Sequence, residues 1–343
     1  GLDVMAVTEH IEYRPHEETM GIYMKNYMGN NKVKNNRLGN KAADKDGIQV
    51  DLNYSYDRTV QKGEGYGVVV IRGMEVTRDG KTIEQAIAEA AEEYDCLLAR
   101  CNAFSEKVKK EAIQKGSEKY AELLLLATRQ VMAAHKLVVD NEGNNLYISK
   151  ECFSNGCAAT VDVTYPSAPM YLLYNTELLK GMLRPIFRYA ASEAWEYDFA
   201  PHDAGQYPLV NGQVYGENKL KYQMPVEECG NMIILVSAIC EKDNDYSFAE
   251  ENMELLEKWS KYLVKYGKDP ENQLCTDDFA GHLAHNCNLS LKAIMGMAGF
   301  SDILLNIGRK DEADELMATV KKYAASFIDR AKNNDGSYRL AYD

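Results

Sequence analysis

From Thr82 onward the chain reads in helical periods, and this restricts its possible folds more than any other feature. Ile83, Ile87, Ala90, Tyr94, Leu97, Cys101 and Phe104 recur at three- and four-residue steps, which places them on one face of a long helix. A second helix fits 117–136, and others fit 175–193, 225–241, 247–266, 280–306 and 310–332, most of them separated by Gly-, Asn- or Pro-containing links. The exception is Leu137 to Ser149, which alternates around Asn141-Glu-Gly-Asn144 as a β-hairpin does. Long helices joined by alternately short and long links suit stacked antiparallel pairs. The expected fold is therefore mainly α, a ring of helical hairpins whose longer links supply a functional face.

Residues 1–80 have a different texture. A polar stretch from Met28 to Asp46 lacks any apolar period, and two short runs flank it, Leu2 to Val7 and Gly67 to Ile71. Both runs read as buried strands. The expected organisation is a short α/β fragment over 1–80 and a helical domain over 81–343. The opening Gly-Leu-Asp-Val-Met fits either a removed leader or a start within a longer gene.

Composition excludes several classes of function. A net charge of −13 with no basic patch argues against nucleic acid as a partner. No run of about 18 apolar residues occurs, so no membrane span is expected. The eight cysteines form no C-x-x-C pair, which argues against a zinc site or a disulfide framework. Those in helical patterns (Cys96, Cys101, Cys240, Cys287) read as buried thiols. Nothing in the pattern calls for a cofactor or sets an oligomeric state.

Three loops concentrate polar residues ahead of apolar helices: Pro201-His-Asp-Ala-Gly-Gln-Tyr-Pro208, Met224-Pro-Val-Glu-Glu-Cys-Gly-Asn231 and Gln273-Leu-Cys-Thr-Asp-Asp-Phe-Ala-Gly-His282. Each has a structural reading. Pro225 suits a first helical position, Glu227 and Glu228 then meet the positive end of the helix dipole, and Asp278 suits an N-cap for a helix starting at Phe279. Together they also suit chemistry. Asp203, Glu227, Glu228, Asp277 and Asp278 are candidate acid–base groups around one shared cleft, because water activation needs an ionised carboxylate and leaving-group protonation needs an acid of raised pKa. His202, Tyr207, Asn231 and His282 are candidate substrate contacts. His282 and His285 follow Asp278 at four and seven residues on one expected helical face, too few ligands for a metal site. Met232, Met295 and Met297 read as core. Cys275 and Cys287 have no neighbouring base in sequence that would make them nucleophiles.

The same loops carry a resemblance. Ser149-Lys-Glu-Cys-Phe-Ser-Asn-Gly156, Thr160-Val-Asp-Val-Thr-Tyr-Pro-Ser-Ala-Pro169, His202-Asp-Ala-Gly205, Met224 to Met232 and Pro270 to Gly281 resemble, in order, the helical domain of the glutaminase A family. The resemblance implies an (α/α)6 toroid of six hairpins, hydrolysis of the glutamine side-chain amide to glutamate and ammonia, and a secreted or periplasmic setting. Seven helices fall short of the twelve that six hairpins require, so the expected ring is partial and C-terminally truncated. Residues 1–80 resemble instead a fragment of a polymerase-and-histidinol-phosphatase (PHP) phosphoesterase, through Gly1 to His16 and Val70 to Arg78. By that motif His10 and Glu75 would be metal ligands. The motif's His-x-His would lie before residue 1 and its later His and Asp ligands are missing where the helical domain begins, so no metal is expected. The expected partner is a small-molecule or oligosaccharide substrate. The alternatives to a glutaminase are a glycoside hydrolase using a carboxylate pair on the same toroid, with Tyr207, Tyr215 and Trp195 stacking on sugar, or an inactive fragment or binding module.

Overall fold

The structure is a computed structural model that describes residues 83–140, 142–151, 156–207, 209–276 and 281–342. The expected α/β fragment, with His10 and Glu75, lies outside these residues. The described chain falls into two compact units that divide between Ala133 and Ala134.

The first unit is a helical hairpin, α1 (Ile83–Lys115) and α2 (Glu118–Ala133), closed by Gly116 and Ser117. The Ser117 hydroxyl accepts the Tyr120 amide at 3.2 Å and caps α2. The apolar residues expected to face a core along α1 are exposed from Tyr94 to Cys101, and Cys96 is exposed with them. Among the described side chains of α1, the buried ones come later, at Val108 and Ala112.

The second unit opens with the expected hairpin. Strands β1 (His135–Val139) and β2 (Asn145–Ser149) pair antiparallel, with His135 opposite Ser149. Asp140 closes the turn by accepting the amides of Glu142 and Asn144, both at 2.8 Å. Helices α3 (Val161–Tyr174), α4 (Thr176–Ala191), α5 (Pro225–Asp243), α6 (Ser247–Glu251), α7 (Met253–Tyr266), α8 (Cys287–Asn306) and α9 (Lys310–Ala331) follow. The chain is thus mainly α with a small two-stranded sheet.

Three boundaries differ from expectation. Helix α3 has no counterpart in the periodicity, because Pro166 and Pro169 stand inside it and proline normally ends a helix by removing the bond to the carbonyl four residues back. The expected helix 247–266 breaks at Asn252, whose side chain donates to the Phe248 carbonyl at 2.8 Å. Helix α8 starts at Cys287, not near 280, since Asn286 accepts the Leu289 amide at 3.1 Å and is its N-cap. His282 and His285 therefore precede the helix instead of lying on it, and His285 sits at a φ of 62°.

Helix α5 is buried on nearly every side over its first three turns. It packs against α3, α4, α7 and α8, while α9 covers the other side of α8. Glycines let α5 and α8 meet. A Cβ on Gly296 would lie 3.1 Å from the Gly230 Cα, and one on Gly230 would lie 3.0 Å from the Lys292 carbonyl oxygen. Farther along, a Cβ on Gly299 would lie 3.0 Å from that of Ser237. Beneath this seam Trp259 is fully buried and stacks on Phe187 at 5.3 Å. Met232 and Met297 join the core as expected, whereas Met295 is 52% exposed on the outer side of α8. No helix among the described residues is long and apolar enough to cross a membrane.

The seam makes a prediction whose sign is informative. Helix propensity alone makes Gly230→Ala stabilising by about 1 kcal/mol, whereas overpacking costs about 1–3 kcal/mol. With backbone atoms of α8 at 3.0 Å, overpacking should win. The denaturant midpoint should fall, and a rise would show that the two helices can part freely.

Candidate active site

Two helix N-termini and two loops converge on one cluster of buried charge. Pro225 occupies the first position of α5, where its missing N–H costs nothing. The next amide, Val226, is capped by the Gln273 side chain at 2.9 Å. Glu227 and Glu228 follow in the first turn, 1% and 0% exposed, where the helix dipole favours negative charge. Both oxygens of Glu227 are engaged. Lys292 Nζ donates to Oε1 at 2.5 Å and the Thr276 amide to Oε2 at 2.8 Å. Lys292 comes from α8, one turn before Gly296, and its ammonium also lies 4.8 Å above the Tyr165 ring. Glu228 Oε2 accepts a hydrogen bond from the Asn231 side-chain Nδ2 at 2.9 Å, while Glu228 Oε1 and Asn231 Oδ1 are buried with no hydrogen-bond partner.

The other half of the cluster is built by the 200–205 loop and the start of α3. The His202 carbonyl accepts the Val161 amide at 2.9 Å, and the Ala158 carbonyl accepts the Ala204 amide at 3.1 Å, which fixes the loop against the helix start. Gly205 sits at a φ of 114° with the Gly212 carbonyl where a Cβ would be, so only glycine fits. Its amide donates to Asp203 Oδ1 at 2.8 Å. Asp203 Oδ2 is 2.9 Å from His202 Nδ1, and His202 Nε2 is 3.4 Å from Asp162 Oδ1. The Thr276 hydroxyl donates to Asp162 Oδ2 at 3.1 Å and joins the two halves. Ligand atoms of Asp162, His202 and Glu228 all lie within 4.8 Å of one another.

Burial and crowding set the protonation of these groups. Burial, reinforced by the negative charge of Asp162, raises the Glu228 carboxyl well above its ordinary range. Burial works to lower His202, but hydrogen bonds to Asp162 and Asp203 outweigh it and carry the imidazole well above its usual value. Burial likewise works to raise Asp162, and the His202 contact outweighs it, so Asp162 is held low. The Cys157 thiol, close to His202 and Asp203, is pushed far up by burial and then by the charge of Asp203, which keeps it from acting as a thiolate.

Of the candidates read from the sequence, His202, Asp203, Glu227, Glu228 and Asn231 come together here. Asp277 and Asp278 lie outside the described residues, directly after Thr276. Tyr207 is half-buried with Lys150 Nζ 4.8 Å above its ring. His282 is exposed and accepts the Cys275 amide at 3.3 Å, with the Cys275 sulfur 3.8 Å away, so Cys275 does have an imidazole neighbour. Trp195 is buried and donates to the Phe199 carbonyl at 2.7 Å, which removes it as a sugar-stacking platform. Sequence reasoning missed Asp162, Thr276 and Lys292. Lys292 did leave a signal, as a single cation in the otherwise apolar run from Leu289 to Met297.

A sequence model described as "Glutaminase A six helical-hairpin domain" matches residues 117–343. Glutaminase A of Aspergillus oryzae is 36% identical over 234 residues, which cover 68% of this chain and 33% of that protein. A protein of Arthroderma benhamiae named "Probable glutaminase" is 27% identical over 310 residues, covering 73% of this chain and 36% of its own. The chain thus spans about a third of the length of the curated relatives it matches. These matches do not show the PHP resemblance expected of residues 1–80.

The Glu227–Lys292 pair yields a stability test. Removing one partner of a buried ion pair leaves an uncompensated charge and costs about 3–5 kcal/mol. Lys292→Met should destabilise the chain by that amount, and adding Glu227→Gln should recover part of the loss. Equal, additive losses in a double-mutant cycle would mean that the two groups do not interact.

Proposed function

The chain belongs to the glutaminase A family through its six-helical-hairpin domain, and from that membership we propose that it hydrolyses the side-chain amide of glutamine at the cluster where α3 and α5 begin. The observation that supports this most is the convergence of four carboxyl groups, Asp162, Asp203, Glu227 and Glu228, on His202 and Lys292. Amide hydrolysis needs one group to take a proton from the attacking water and another to give one to the departing nitrogen.

The two roles divide by protonation. Asp162, held ionised by the His202 contact that Asp203 orients, takes the first role, and Glu228, kept protonated by burial and fixed through Oε2 by Asn231, takes the second. Water oxygen bonds to the amide carbon as its proton passes to Asp162. The carbon–nitrogen bond then breaks as Glu228 supplies a proton to the nitrogen. Ammonia leaves, the new carboxyl group remains on glutamate, and the proton taken by Asp162 passes to Glu228, which restores the starting state. Glu227 and Lys292 are positioning residues, since both oxygens of Glu227 are already engaged. Asp277 and Asp278 belong to the proposed set through their place in the chain after Thr276.

Incubation of the chain with L-glutamine should release ammonia, and a parallel panel of aryl glycosides should remain intact. Glu228→Gln should lower kcat by about 10²–10⁴-fold, the usual contribution of an acid–base group, with thermal stability retained. Undiminished turnover in that variant would remove Glu228 from the mechanism. Cleavage of a glycoside without ammonia release from glutamine would replace the amidase reading with a glycosidase one.

A further inference from the structure

We infer that Asp162, His202 and Glu228 together bind one divalent transition cation of the zinc or manganese class. The inference goes beyond the proposed function and does not depend on it: with a cation bound, Asp162, His202 and Glu228 are ligands, so the proton transfers proposed above belong to the cation-free site. It concerns binding alone, so it can be tested without turnover.

Four observations carry it. First, the three donors come from separate segments, the start of α3, the 200–205 loop and the start of α5, and their ligand atoms already lie within 4.8 Å of one another. Around a cation bound at about 2.0–2.2 Å such atoms are roughly 3–3.6 Å apart, and His202 Nε2 and Asp162 Oδ1 are at 3.4 Å. Second, Glu228 has no exposed surface, yet its Oε1 has no partner, and the neighbouring Asn231 Oδ1 is unpartnered as well. A buried oxygen left without a donor is costly, and a cation would satisfy it.

Third, His202 is held as a metal-binding histidine is held. Nδ1 faces the Asp203 carboxylate at 2.9 Å, and Asp203 is itself fixed by the Gly205 amide. This leaves Nε2 to point at the other two donors, the carboxylate–histidine arrangement that orients an imidazole toward a metal. Fourth, among the described residues the cluster sets four carboxyl groups against two cationic side chains, His202 and Lys292. Lys292 is already taken by Glu227. Only His202 therefore faces the remaining carboxyl groups, which leaves a lining rich in oxygen donors for a cation. Two carboxylates and one imidazole suit zinc, manganese or iron(II) better than a soft ion, and fit magnesium less well because of the nitrogen donor.

The test uses the untagged chain after treatment with a chelator. Isothermal titration with zinc chloride, and separately with manganese chloride, should show one saturable site, with magnesium binding much more weakly. Asp162→Asn and His202→Gln should each weaken zinc binding by at least about 100-fold, and Asp203→Asn by about 10–100-fold through the lost orientation. Cobalt loading of the unaltered chain gives a second measurement that survives any misfolding of the variants. It should give visible d–d bands of a nitrogen–oxygen site with no thiolate charge-transfer band. No saturable site, affinity unchanged in Asp162→Asn and His202→Gln, or a thiolate band pointing to Cys157 would each overturn the inference. If zinc binds but glutamine is not hydrolysed, the cation site stands and the reaction does not. The opposite result separates them the other way.

Discussion

The approach of α5 to α8 at Gly230 and Gly296 is the constraint on which the second unit depends. With a Cβ at either position the backbones could not lie so close without rearrangement, and each ångström of separation would be passed to the side chains one turn away. Those side chains are Glu227 and Lys292, which meet at 2.5 Å. Lysine is long enough to reach Glu227 only because the helices touch. The same seam sets where α5 begins relative to the loop that carries Thr276, and Thr276 in turn joins Glu227 to Asp162. A packing rule that concerns only volume thus decides an electrostatic arrangement.

That arrangement departs from the stable default for a protein interior. Charged groups are seldom fully buried, and replacing a buried ion pair with apolar residues is often neutral or stabilising. Here Glu227 and Glu228 stand side by side without exposed surface, and Asp203 is 2% exposed. The fold meets this in two ways. It places both glutamates at a helix N-terminus, whose dipole and free amides favour negative charge. It also engages both oxygens of Glu227 and of Asp203 with backbone amides, an ammonium or an imidazole, and leaves Glu228 Oε1 without a donor. Strongly perturbed carboxyl and imidazole groups gather at functional sites more than elsewhere, which is what makes this cluster the candidate.

Much of this was legible in the sequence, for reasons that differ from one element to the next. The helical periods, the hairpin around Asn141 to Asn144, and Pro225 opening α5 follow from local stereochemistry and were read correctly. Glu227 and Glu228 announced themselves by their position after that proline, and His202 and Asp203 by their place in a glycine-containing loop. Helix α3 was hidden because Pro166 and Pro169 are local signals for a break, and tertiary packing overrode them. With α3 went Asp162, which then looked like one acidic residue in a loop. The start of α8 was placed too early for a similar reason, because an aspartate and an asparagine compete for the N-cap and only the packed structure chooses Asn286. Lys292 depends on a contact 65 residues away in sequence, which no local pattern encodes. The exposed face of α1 reverses an expectation based on period alone, since amphipathicity states which side is apolar and not whether anything covers it.

The hydrogen bond from Thr276 to Asp162 spans 114 residues of chain, and it is this bond that joins the two halves of the cluster. Contacts that far apart in sequence are entropically expensive to close and tend to form late, after the local hairpins that bring them into reach. Helices α4, α5, α6 and α7 all lie between the two residues, so joining the two halves depends on tertiary packing, whereas the His202–Asp203 and Asn231–Glu228 contacts are local. The local pairs do not by themselves make the cluster; its two halves meet only through the packing of helices that are distant in sequence, so the complete constellation is a property of the packed unit as a whole.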